Sequence, residues 1–343
     1  MILNIRITDR SDFKNWDNYV LNHPSGSVFH LTAWKSVIEK SFGHRNFYLI
    51  GEQQGKICGI FPIFEIKSFL FGHYFISIPF AEIGGVLADS IEIEQSLIKE
   101  ALKIKELYNG QYLEIRNRKE IQGLRTKFLY YNFRKEISSD HDENLKAIPR
   151  KSRAMVKNAI KKGLFSETGH HLLPEFYNIL SLNYHRLGTP IFSKQLFKNF
   201  LAEFKESTNI LVIKTDKGEL AAAVLFFLFK DQMLPYYAGS DFSFRQLGSN
   251  DFMYWELMKL AVDKGCRVFD YGRSKEDTGS FHFKKHWGFK PEPLAYQYHI
   301  AKAENLPNLS PANPKYQKKI KVWQKMPHSF TKIIGPFISR DLA

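Results

Sequence analysis

The run Leu220–Phe229, LAAAVLFFLF, carries ten residues without one polar side chain. That is far short of the ~20 residues a helix needs to cross a bilayer. It reads instead as a strand buried in a sheet, and a buried strand requires other elements packed over it. The opening residues MILNIRITDRSDFKNW show no basic start followed by an apolar stretch, so no secretory leader is expected.

The surroundings of this strand follow a definite order. Strands are expected at 210–215 and 233–237, with Lys217-Gly218 turning the hairpin. Helices are expected at 173–187, 195–204 and 251–264, then a strand at 268–271. The first half repeats the order: helices at 12–20 and 30–41, strands at 47–52, 56–67 and 74–79, a helix at 91–108, and a strand at 112–116. Asp9 and Ser11 are both candidate caps for the first helix. Each half thus runs helix, helix, hairpin, strand, helix, strand. The expected fold is α/β (α+β), with two tandem acetyltransferase-like (GNAT-like) domains built on mixed sheets. The halves do not align as a sequence repeat. The expected division is 1–144, 145–304 carrying most site residues, and a helix and tail at 305–343 that could pack on the first domain.

Composition narrows the chemistry. Hydrophobic residues make up 44% of the chain, which excludes a disordered polymer. Lys and Arg number 49 against 35 Asp and Glu, a formal charge of +14, so partners should be anionic. Cys58 and Cys266 lie outside any CxxC pair and read as small buried hydrophobes in a reducing compartment. His44, His73, His282 and His286 lack ligand spacing, so no metal is expected. His282 alternates with Phe281 and Phe283 as it would on a strand.

Three segments carry candidate chemistry. Arg245-Gln246-Leu247-Gly248-Ser249-Asn250 precedes a helix and is arranged like an R-x-x-G-x-G/A phosphate loop, where free backbone N–H groups hold an anion. Capping of that helix by Ser249 or Asn250 is the alternative. The stretch 145–164 holds seven basic residues and no acidic one. Arg150 and Arg153 belong to a stripe at i, i+3/i+4 spacing, suited either to solvent or to an anionic partner such as tRNA or a lipid diphosphate. The third segment is Phe269-Asp270-Tyr271-Gly272-Arg273-Ser274, followed by Gly279-Ser280-Phe281-His282-Phe283-Lys284-Lys285-His286-Trp287-Gly288-Phe289. An exposed lysine pair on a β-hairpin is its plainer reading.

This third segment resembles the C-terminal domain of the Fem peptidyltransferases, which add amino acids to a lipid-linked peptidoglycan precursor. Phrases such as Phe29-His30-Leu31-Thr32-Ala33-Trp34, the run PFAEIGG at 79–85 and Leu234-Pro235-Tyr236-Tyr237 extend the likeness to the Fem-like branch associated with exosortase/PEP-CTERM exopolysaccharide systems. The resemblance implies Lys284 as the phosphate-neutralising lysine with Phe283 beside it. It also implies Arg186 as a substrate contact. Arg273, Tyr236 and Tyr237 would complete the cleft, and Asp270 would be a candidate base. The implied reaction is attack by an amine, or a hydroxyl, on an activated acyl group from acyl-CoA or aminoacyl-tRNA. The acceptor would be a phosphate-bearing envelope or polysaccharide precursor. A cytoplasmic location is expected, with peripheral contact to the inner membrane through the basic tail at 318–338. A non-catalytic module that binds lipid-linked sugar, and a general RNA-binding protein, are the competing readings.

Overall fold

The computed structural model describes residues 2–69, 71–300 and 314–342. Two compact units emerge. One comprises residues up to Leu129 with 293–300 and 340–342; the other comprises Tyr130–Glu292 with 314–339.

In the first unit one mixed sheet runs in the order Asn4–Ile7, Asn46–Gln53, Lys56–Ser68, Gly72–Ile76, Tyr112–Asn117, Ala295–Ile300, Arg125–Lys127. Its neighbours are antiparallel except Gly72–Ile76 and Tyr112–Asn117, which pair in parallel with Phe75 opposite Leu113. Helix Ile91–Leu107 is capped by Ser90 and buries Ile93, Leu97 and Ile98 against the sheet. Asp9, not Ser11, caps the first turn at Arg10–Asp12, in a reciprocal box with Asp12.

The second unit is built around the strand that opened the argument. Its sheet runs Phe165–Thr168, Thr208–Lys214, Leu220–Phe229, Gln232–Ser240, Val268–Asp270, Arg134–Glu136. Alternation along Leu220–Phe229 gives both faces a core. Ala222, Val224 and Phe226 join Phe252, Met253 and Leu257 of helix Ser249–Asp263. On the other face Phe227 meets Phe200 and Phe204 of helix Lys194–Phe204. Every residue from Ala221 to Phe227 is at most 2% exposed, which is why no polar side chain is tolerated there.

Three features differ from expectation. The division falls at 129/130 and 292/293 rather than at 144/145 and 304/305. Strand Arg134–Glu136 pairs with Val268–Asp270 and so belongs to the second sheet, whereas Ala295–Ile300 inserts beside Tyr112–Asn117 in the first. The tail forms two helices, Pro314–Lys325 and His328–Ser339, interrupted at Met326-Pro327. Both pack on helix Leu173–Leu187 of the second unit, while the chain end from Arg340 joins the first, where the Arg340 carbonyl lies 2.9 Å from His44 Nε2. Finally, 279–286 is helical rather than extended: Thr278 accepts from the Phe281 N–H as its N-cap. Phe281 and Lys284 then share one buried face at i, i+3.

Candidate active site

One pairing in the second sheet is short. Gln232–Ser240 and Val268–Asp270 pair in parallel only through Gln232–Val268 and Met233–Phe269. The longer strand then runs on to Ser240, with a register shift opposite Leu225/Phe226 and with Pro235, which has no N–H. The ladder between them therefore ends early, near the carboxyl end of the shorter strand. In α/β sheets ligands favour the carboxyl ends of strands.

The shorter strand ends in a turn that is fixed by charge. The Asp270 carboxylate is 1% exposed. It accepts from the Gly272 N–H at 2.9 Å and from Asn132 Nδ2 at 3.2 Å. Lys284, 6% exposed, donates its Nζ to the carbonyls of Gly272 at 2.8 Å and Arg273 at 3.0 Å. The amine expected to meet phosphate thus grips main chain, and the carboxylate expected to act as a base holds the same turn from its other side.

Beyond this turn the chain presents Arg273, Ser274 and Lys275. The Arg273 guanidinium lies 4.7 Å from the Tyr130 ring centroid, and Lys275 Nζ lies 5.6 Å from the same ring. Burial, and then the neighbouring Arg273, pull the Lys275 amine down to about 8. Ser274 Oγ is buried without a hydrogen-bond partner. Arg273 also acts on Tyr184, whose hydroxyl burial pushes up to about 12 while the guanidinium pulls the other way. From Tyr184 ring contacts run to Phe192 at 6.3 Å, on to Tyr237 at 5.8 Å, and to Tyr236 at 4.8 Å. Lys284 and Asp270 thus share the Gly272–Arg273 turn, and Tyr236 and Tyr237 share a ring contact. Tyr237 itself is buried against Phe197 and Phe200. Lys275, Ser274, Tyr130 and Asn132 were not singled out from sequence. Tyr130 and Asn132 reach the site through pairing of Ser274 with Tyr131, a contact that no local motif announces.

The glycine loop forms a second cluster. Gly248, at φ 78°, is the N-cap of helix Ser249–Asp263 and supplies no side-chain cap. Capping by Ser249 or Asn250 is therefore overturned: both residues lie within the helix. A Cβ on Gly248 would stand only 2.7 Å from the Met155 carbonyl oxygen, so glycine lets helix Arg150–Lys161 lie this close. Asn158 Nδ2 donates to the Gln246 carbonyl at 3.3 Å. Arg245 and Arg186 share the exposed Phe242 ring, at 4.3 and 5.2 Å from its centroid. Ser249 is fully buried. Asp251 accepts from Trp287 Nε1 at 2.8 Å, which ties helix Gly279–His286 to the same helix start. Burial raises the Asp251 carboxyl above the usual range, and the indole bond offsets part of that shift.

Other candidates lie elsewhere. Phe283 packs on Tyr254 and Trp287, at the rim of the core. The basic stripe faces outward: Lys146, Arg150, Lys157 and Lys161 are exposed, while Arg153 donates to the Lys146 carbonyl at 2.7 Å. That helix borders the glycine loop through Asn158 and helix Gly279–His286 through Ser152, which donates to the His286 carbonyl at 3.2 Å. The first unit has its own cavity of about 260 Å³, lined in part by His30, Gly84, Gly85, Arg116 and Asn117; His30 and the glycine pair lie in segments that carried the resemblance but were not candidate site residues. Among the described residues no cluster of three His, Cys, Asp or Glu side chains could hold a metal ion. No helix there is long and apolar enough to cross a membrane.

Residues 150–285 match the sequence profile of the acetyltransferase (GNAT) domain. No curated protein matches the chain. Among solved structures, FemX aligns with a TM-score of 0.68 at 16% identity, covering 93% of this chain and 99% of its own. The L-PGS of Bacillus licheniformis aligns at 0.58 and 13% identity, covering 93% and 97%. A tandem GNAT protein from the clavulanic acid biosynthesis pathway aligns at 0.56 and 9%, covering 89% and 100%. At these identities the likeness is one of fold: a mixed α/β chain with tandem GNAT neighbours, as expected from element order.

Proposed function

We propose that this chain is an acyltransferase that passes an activated acyl or aminoacyl group to an amine on a phosphate-bearing envelope or polysaccharide precursor. The reading rests on one observation. The parallel pairing stops at Met233–Phe269, the turn that follows is held by the buried Lys284 amine, and helix Ser249–Asp263 starts without a side-chain cap. The GNAT profile over the same residues and the fold shared with FemX and L-PGS support it.

The residues divide the labour. The start of helix Ser249–Asp263, with Arg245 beside it, offers N–H groups and charge to the phosphates of the donor. Acyl-CoA and aminoacyl-tRNA both carry such phosphates. Asp270 and Lys284 are positioning residues that hold the Gly272–Arg273 turn. Arg273 then faces the negative charge that develops on the carbonyl oxygen when the amine attacks. The nitrogen forms its bond to the acyl carbon, the donor thiolate or ribose oxygen leaves, and the amine proton passes to that leaving group or to solvent. Tyr236 and Tyr237 wall the cleft, and Arg186 lies at its edge on Phe242.

Calorimetry with acetyl-CoA, a long-chain acyl-CoA and a charged tRNA tests the reading. One donor should bind, and Arg273→Ala and Arg245→Ala should each weaken it by about tenfold, the loss of one charge-assisted contact. Failure of all three donors to bind, or affinity unaltered in both variants, would sink it. A donor that binds without turnover on any amine would favour the non-catalytic sugar-binding module instead.

A further inference from the structure

Helix His328–Ser339 is turned inside out. Its buried residues are the small Thr331, Gly335 and Ser339, spaced by four, with Ile334 and Ile338 half-buried. Its outward residues are Phe330, Ile333 and Phe337, which are 50%, 66% and 74% exposed. Water-soluble helices bury the opposite set.

The orientation is pinned, because the small face is fastened by specific bonds. His328 Nε2 and Ser181 Oγ are 3.0 Å apart, and Thr331 Oγ1 lies 3.1 Å from His185 Nδ1. Ser339 Oγ donates to the Ile191 carbonyl at 3.0 Å. A Cβ on Gly335 would stand 3.0 Å from the Ile191 nitrogen, so any larger residue would crowd this approach. Rotating the helix to hide its phenyl rings would break all of these contacts.

Charge identifies what covers the apolar stripe. Between 314 and 339 the chain has six lysines and no acidic residue. Lys318, Lys319, Lys321 and Lys325 are exposed, and Val322, 55% exposed, shares a helix face with Lys318 and Lys325. A second copy of this chain would bring the same lysines and a formal charge of +14, and would be repelled. An anionic bilayer offers both things this surface lacks, a plane of negative headgroups and an apolar layer beneath.

We propose that the helices Pro314–Lys325 and His328–Ser339 form a docking surface for an anionic lipid membrane, with Phe330, Ile333 and Phe337 entering the interface and the lysines meeting headgroups. The surface holds the protein where lipid-linked molecules lie, and it stands independently of the acyl-transfer reading.

Vesicle flotation of the full chain decides the matter. The protein should float with phosphatidylcholine vesicles containing about one-third phosphatidylglycerol and stay in solution with pure phosphatidylcholine, and added salt should release it. Replacing Phe330, Ile333 and Phe337 together by Ser should lower binding by about tenfold or more, and each lysine changed to Gln by up to about fivefold. The positions are exposed, so thermal unfolding should be unchanged. Phe337→Trp adds a reporter whose emission should shift to the blue on anionic vesicles. No flotation by the native chain, or flotation undiminished by the triple variant, overturns the proposal. So does a dimer in sedimentation velocity that the triple variant abolishes, since the stripe would then be a protein interface.

Discussion

Lys284 illustrates how one residue type can serve two ends. From sequence it is a point charge for phosphate. In the fold its amine satisfies two carbonyls in a nearly closed space. Lys284→Met should therefore lower unfolding free energy by about 2 kcal/mol in urea titration, the scale of lost charge-assisted hydrogen bonds. A substrate contact alone would leave stability untouched. Lys275 should respond to pH. Its folded amine holds its proton less tightly than the unfolded amine near 10.5, so the cost of the buried charge is present in full below about 8. That cost fades as pH climbs from about 8 towards 10.5. Lys275→Met should raise the melting temperature at pH 7, and its advantage should shrink across that window. The Asp-x-Gly-Arg turn and the Phe-Lys pair stand out in the sequence because they are local. Lys275 does not, because its environment comes from Tyr130, which pairs with it across the sheet.

At the scale of elements, apolar spacing located both halves of the chain but misread 279–286. Phe281-His282-Phe283 alternates over three residues, too few to separate a strand from a helix. The informative signals were Thr278 as cap and the positive φ of Gly288 just past the helix end. Which strands become neighbours was equally hidden, since pairing of Ala295–Ile300 with Tyr112–Asn117 depends on everything between them. The seat of helix Arg150–Lys161 on the glycine loop gives a test. Gly265→Ala, at φ 73° in open space, should cost about 1–2 kcal/mol for its left-handed backbone. Gly248→Ala has the same backbone demand plus a collision with the Met155 carbonyl, so its loss in chemical denaturation should be clearly larger. Equal losses would mean that the helix does not press on the loop.

For the molecule as a whole, both thiols are shielded. Cys58 and Cys266 are 7% and 6% exposed, and burial pushes the Cys266 thiol up to about 11. Ellman's reagent should find neither until the protein unfolds, and then both. The chain also interlaces its two units. Ala295–Ile300 stands between Tyr112–Asn117 and Arg125–Lys127 in the first sheet. A protein ending at residue 292 should leave a bare sheet edge and aggregate on size exclusion, whereas one ending at 300 should keep that edge covered. The same interlacing dictates a calendar on the ribosome. Residues 1–129 emerge early, yet their sheet must wait for a strand translated after nearly all of the second sheet has appeared. Vectorial synthesis would normally let the amino-terminal domain finish first. Here the nascent amino-terminal half stays incomplete while its successor matures, and so it is the part that chaperones should be found holding.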